Sequence, residues 1–137
     1  MYLLDTNVLS ETSRIKPDER VRRWLTTMPP VQMHTAALVY AELLFGAERH
    51  PDPIRAQRYR AYIENARATL LRGRILPFDE GCARTYARLL VLTQRRQRPV
   101  NDLQIAAVAI TNELTLVTRN TDDFENLGLL LLNPWLT

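Results

Sequence analysis

An α/β/α sandwich around a central, mainly parallel sheet of four to five strands is the fold this sequence predicts. Short apolar runs alternate with longer stretches of helical periodicity, the pattern that builds parallel sheets through helical crossovers. The strand-like runs end in polar or acidic residues, as at Leu4-Asp5 and Val117-Thr118, where open α/β sheets present their ligand crevice. The chain has 137 residues, 46% hydrophobic and 24% charged, the size and composition of one globular domain spanning 1–137.

Tyr2, Leu3 and Leu4 form an apolar run suited to a buried strand, and Thr6 or Asn7 is placed to cap the helix that follows. Asp5 then stands at the carboxyl end of the first strand, where it either caps that helix or faces a ligand. Asp18 to Thr27 carries Val21, Trp24 and Leu25 on one face of a short amphipathic helix, ended by Pro29-Pro30. Val31 to Thr35 alternates apolar and polar residues in the manner of a strand, and His34, with no second histidine at ligand spacing, is read as part of it. Residues 36–50 have helical periodicity, with Leu38 and Val39 one turn before Glu42 and Phe45 and Gly46 one turn after it. A carboxylate on such a face must be protonated, paired with an arginine or neutralised by a cation, and on this segment alone a buried ion pair is expected.

Pro51-Asp52-Pro53 breaks the chain before a long helix over 54–71, in which Tyr59, Tyr62, Ile63, Ala66 and Leu70 share a side and the tyrosines are read as packing residues. Residues 73–78 resemble a short strand. Asp79 caps a third long helix with Cys82, Tyr86, Leu89, Leu90 and Thr93 as its inner stripe. The basic run Gln94 to Pro99 is read as a solvated helix end. Asn101 to Ile110 is a small-residue helix in which Asp102 shares a stripe with Ile105, Ala106 and Ala109. Thr115 to Thr118 is a strand leading to the polar turn Arg119 to Phe124, and Leu129 to Leu132 is the last strand before Asn133-Pro134-Trp135.

The net charge is +3, and all but Lys16 of the 18 Lys and Arg residues are arginine, whose planar fork suits phosphate. The lone cysteine, Cys82, excludes an internal disulfide and a cysteine-based zinc site. No stretch has the length of a membrane span or the pattern of a signal peptide, so a cytoplasmic location is expected. The predicted topology brings Asp5, Glu42, Asp102 and the turn from Asn120 to Asp123 to the carboxyl edge of the sheet. Several carboxylates cannot sit together ionised without cations, and all-oxygen ligation is what Mg²⁺ or Mn²⁺ prefers. An acidic metal site in a basic body is a sound electrostatic plan for cleaving a phosphodiester.

Four motifs stand in order along nearly the whole chain: Leu3-Leu4-Asp5-Thr6-Asn7; Ala41-Glu42-Leu43 with Gly46; Asn101-Asp102 with Ile105 to Ala107; and Leu116 to Asn120 with Asp123-Phe124. Together they resemble the PIN-domain ribonucleases of the VapC type, the toxin half of a type II toxin–antitoxin pair. The ending Asn133-Pro134-Trp135 resembles the FitB-like branch. The resemblance implies Mg²⁺ or Mn²⁺ dependence, single-stranded RNA or tRNA as substrate, and a cognate antitoxin that blocks the site. It places Asp5 and Asp102 as principal metal ligands and Glu42 as a ligand or base, with Thr6, Asn7 and Thr118 supporting them. The chain departs from the pattern at Asn120, where related nucleases often carry Asp; Asp123 either supplies that charge or caps the short turn beginning at Phe124, so one well-bound metal and a weak or absent second are expected. A homodimer and a helical antitoxin segment bound near the site are expected from surplus apolar helix faces, and the resemblance implies a larger assembly with antitoxin on operator DNA. The alternative role is a FitB-like subunit of a DNA-binding complex with little nuclease activity. A phosphoacceptor role of the response-regulator kind is disfavoured, because the chain's only lysine, Lys16, is not suitably placed for it.

Overall fold

The computed structural model describes residues 1–94 and 98–137. The chain begins with strand β1 (Tyr2–Leu4) and helices α1 (Thr6–Glu11) and α2 (Glu19–Thr27). Strand β2 (Met33–Ala36), helices α3 (Ala37–Glu48) and α4 (Pro53–Thr69) and strand β3 (Ile75–Leu76) follow. The remainder comprises α5 (Glu80–Thr93), α6 (Val100–Thr111), β4 (Thr115–Val117) and β5 (Leu131–Leu132). Short 3-10 turns cover Pro30–Gln32, Thr121–Phe124 and Pro134–Leu136.

All five strands are parallel, in the order β3-β2-β1-β4-β5. The parallel arrangement has a visible cause. Leu3, Leu4, Leu116 and Val117 are each fully buried, although neighbours along a strand point to opposite faces, so helices must cover the sheet on both sides. From β1 the chain steps outward to β2 and β3, then returns to the other flank of β1 through β4 and β5. The order therefore reverses between β1 and β4, and the crevice of an open α/β sheet opens at such a switch point. Asp5 follows the end of β1 and Thr118 the end of β4.

Several elements differ from what periodicity predicts. Of the capping candidates, Asp5 is the N-cap of α1, one of its two expected readings, and Thr6 and Asn7 are not. The strand expected over 31–35 begins two residues later, because Pro30 opens a 3-10 turn through Gln32. The last strand is only Leu131–Leu132. On α5, Leu90 is exposed and Thr85 is buried in its place, bonded by the Thr111 hydroxyl of α6 at 2.9 Å. The long helix after Pro53 does bury Ile63, with Tyr59 and Tyr62 half-buried beside it, and Tyr62 donates its hydroxyl to the Leu9 carbonyl at 3.1 Å. Among the described residues no helix is long and apolar enough to cross a membrane.

Candidate active site

Asp5 occupies the switch point because two demands meet on it. Its backbone continues the sheet, with the amide donating to the Val117 carbonyl at 3.0 Å, and its own carbonyl then accepts the Val8 and Leu9 amides that begin α1. The side chain is only 7% exposed. Oδ1 accepts the Thr6 amide at 2.7 Å and Oδ2 accepts the Thr118 hydroxyl at 2.8 Å. Capping the helix and facing the crevice are thus the same placement.

The Thr118 hydroxyl is the hub of this corner. While donating to Asp5 it accepts the Asn7 side-chain amide at 3.3 Å and the Asn120 backbone amide at 3.1 Å, so its donor and both acceptor sites are filled. Asn7 Oδ1 in turn accepts the Arg119 amide at 3.2 Å. Every donor in the network points toward Asp5 or holds a group that does. Thr118→Val, nearly isosteric, should therefore lower any activity of this site by about 10- to 100-fold and destabilise the fold by about 1–3 kcal/mol, since it strands two donors; parallel activity and urea-melt measurements check it, and an unchanged activity would show that Thr118 serves the fold alone.

Glu42 reaches the crevice from the middle of α3. Among the described residues it pairs with no arginine: Oε2 accepts the Thr6 hydroxyl and Oε1 accepts the Asn101 side-chain amide at 3.0 Å. The buried ion pair expected from its apolar neighbourhood is not formed among the described residues, where Glu42 is half-buried at the rim and meets neutral donors. Asp102 enters from the first turn of α6, also half-buried. Asp123 lies exposed in the 3-10 turn Thr121–Phe124, within that turn rather than capping it.

These carboxylates act on one another electrostatically. Burial, foremost, and then the charges of Asp5, Asp123 and Glu42 push the Asp102 carboxyl up to about 6, against an opposing pull from Arg98. Asp5 is likewise raised, mainly by burial and further by Glu42 and Asp123, while its bonds from Thr118 and Thr6 favour the ionised form. Among the described residues, no ion pair involves Asp5, Glu42, Asp102 or Asp123. No three His, Cys, Asp or Glu side chains among them are drawn into a closed ligand set.

The predicted Asp5, Glu42 and Asp102 are therefore gathered in one crevice, Thr6, Asn7 and Thr118 bond within it, and Asp123 is near enough to be felt. Asn120 contributes its backbone amide but makes no cap with its side chain. Two contributors were not singled out from sequence. Asn101 orients Glu42, and its position directly before Asp102 on the same helix turn was the available signal. Arg98 was read as part of a solvated helix end; instead it donates to the carbonyls of Asp122, Asp123 and Glu125, the last at 2.9 Å, fastening the acidic turn over α6. Arg95 to Gln97 of the same run lie outside the described residues.

The family profile described as PIN domain matches residues 2–129. VapC ribonuclease Y4jK of Sinorhizobium fredii is 34% identical over 98% of this chain and 98% of its own. Toxin FitB of Neisseria gonorrhoeae is 36% identical over 98% of this chain and 99% of its own. The solved structure of FitAB bound to an IR36 DNA fragment contains a chain with a TM-score of 0.88 and 34% identity, covering 98% of this chain and 96% of that one. With the sheet order, the acidic crevice and these likenesses agreeing over almost the full length, the chain belongs to the PIN domain family, in the branch that holds the VapC ribonucleases and FitB.

Proposed function

We propose that this chain is a divalent-metal-dependent endoribonuclease, the toxin of a type II toxin–antitoxin pair, cleaving phosphodiester bonds in single-stranded RNA or tRNA. One observation carries the reading: Asp5, Glu42, Asp102 and Asp123 bear on one another at the sheet's switch point with no paired arginine or lysine among the described residues. The donor set is all oxygen, with at least one lone pair left on each carboxylate, which fits Mg²⁺ or Mn²⁺ better than softer metals. A cation at this site would offset the mutual repulsion of these carboxylates.

Asp5 and Asp102 would hold the cation, with Glu42 completing the set. When bound, the metal supplies Lewis-acid stabilisation of phosphate charge and a more acidic water. The bonds from Thr118 and the Thr6 amide favour the ionised form of Asp5 and aim it; Thr6 and Asn101 fix Glu42 so that a remaining carboxylate lone pair can take the proton of the attacking water. Asn7 ties the Arg119 backbone to the same network, holding the β4 end against α1. In-line attack on phosphorus forms the new P–O bond as the P–O3′ bond breaks, and the departing 3′-oxygen takes its proton from solvent, leaving a 3′-OH and a 5′-phosphate. The test is purified protein on single-stranded RNA with and without chelator: cleavage restored by Mn²⁺ is expected, and chelator-resistant cleavage would overturn the metal mechanism.

The exposed Asp123 should matter less than the buried Asp5 and the half-buried Asp102. Asp123→Ala is expected to cost under about tenfold in activity, against 10²-fold or more for Asp5 or Asp102; equal losses, with the fold intact by circular dichroism, would make it a full member of the site.

FitB has been solved in FitAB on DNA, which favours a cognate antitoxin and an operator-bound assembly for this chain also. A homodimer is proposed from the apolar side chains left exposed near the α5–α6 connection: Val91 at 68%, Leu92 at 63% and Val100 at 58%. Light scattering at micromolar concentration should give twice the chain mass.

A further inference from the structure

A cleft of about 450 Å³ lies beside the acidic crevice, between the end of α1, the start of α2, Arg119 and the carboxyl-terminal turn. It meets the crevice at the Thr118–Arg119 bond, since Thr118 holds Asp5 while the Arg119 side chain lines the cleft. Its two carboxylates are already committed. Glu11, only 5% exposed, accepts the Asp18 amide at 3.0 Å and pairs with Arg14 at 3.2 Å. Asp18 caps α2 and pairs with Arg20 at 3.0 Å. Lys16 and Arg119 appear in no ion pair among the described residues, so the lining carries an uncompensated positive charge. The Arg119 guanidinium lies 5.2 Å from the centroid of the Trp135 ring, which sets it in place without neutralising it.

We propose that this cleft binds the phosphodiester backbone of the RNA strand next to the scissile bond, with Lys16 and Arg119 as phosphate contacts. The proposal rests on the ribonuclease reading of the adjacent crevice. Acidic groups repel the strand where it must be cut, so cationic contacts on the flank have to supply the attraction and fix the register. Charge complementarity and continuity with the crevice favour a polyanion over an apolar partner. Glu11, by anchoring Arg14 and the 12–18 loop, gives the cleft its wall.

The experiment separates binding from cutting. Binding of a fluorescein-labelled single-stranded RNA is followed by anisotropy in chelator over a series of salt concentrations, for wild type, Lys16→Ala, Arg119→Ala, the double variant and Arg119→Lys. The double variant should bind about tenfold more weakly, and the slope of log affinity against log salt should fall by about 0.7 for each cation removed. Arg119→Lys should keep the wild-type slope, which a purely structural role for the Arg119–Trp135 contact would not produce. If binding and slope are unchanged in the double variant the proposal is overturned, whatever the cleavage assay gives. Loss of binding to a purified antitoxin with RNA binding intact would equally overturn it, assigning the cleft to an acidic protein segment. Weakened, less salt-sensitive RNA binding supports the cleft even if wild type fails to cleave, in which case only the nuclease reading falls.

Discussion

Asp5→Asn is expected to lower kcat/KM on RNA by about a thousandfold while the protein stays folded. Asparagine caps helices as well as aspartate does, so the Thr6 amide keeps its acceptor and α1 keeps its start. What is lost is the negative charge and one acceptor. The new amide would point a donor at the Thr118 hydroxyl, whose acceptor sites already receive Asn7 and Asn120. That mismatch opposes the gain from no longer burying a charge, so stability should change by only about 1 kcal/mol. Far-UV circular dichroism and a thermal melt, run beside the RNA assay, distinguish a lost charge from a lost fold. Activity within tenfold of wild type would remove Asp5 from the chemistry.

Asp102→Asn should separate activity from stability. Cleavage is expected to fall by 10²-fold or more, because a metal ligand is replaced by a neutral amide. The metal-free protein, however, should become more stable at neutral pH. The Asp102 carboxyl sits at about 6 in the fold. In the unfolded chain an aspartate titrates at about 3.9. The folded protein therefore holds this proton more tightly, and the stability it contributes is fully present below about pH 4 and is lost as pH rises through about 6. Above that, ionised Asp102 costs the fold about 1–2 kcal/mol, discounted because the group is only half-buried. Melts in chelator should show the variant ahead of wild type at neutral pH and level with it near pH 4. Adding Mn²⁺ should raise the melting temperature of wild type more than that of the variant, since binding to the native state stabilises by mass action. A variant less stable than wild type at neutral pH would show that Asp102 holds the fold as well as serving the site. Binding of Mn²⁺ should weaken below about pH 6, where a proton competes with the cation for Asp102, as titrations of the metal into the protein at several pH values would show.

The parallel α/β architecture was legible because strands buried on both faces must be continuously apolar, and Leu3-Leu4 and Leu116-Val117 are. Asp5, Glu42 and Asp102 were legible as candidates because a carboxylate at a strand end or on an apolar helix face demands an explanation. Their support was less so. A threonine after a strand looks like any helix cap, and nothing local in Thr118 says that its hydroxyl spans 113 residues to Asp5. Glu42 illustrates the limit: helical spacing shows that its neighbours are apolar, but only the approach of α1 and α6 decides that Thr6 and Asn101, rather than an arginine, meet it.

Strand and helix periodicity, proline breaks and acidic strand ends are local properties, and they were sufficient for the sheet, the helices and the set of candidate acids. The burial of Thr85 rather than Leu90 on α5, and the carbonyls that receive Arg98, are set by which surface packs opposite. The same holds for the cleft of Lys16 and Arg119, whose lining comes from parts of the chain more than a hundred residues apart. Hydrogen-bond direction, desolvation and mutual repulsion act through space and not along the chain; the tertiary structure alone sets the Asp102 carboxyl near 6 and turns four scattered acids into one electrostatic unit.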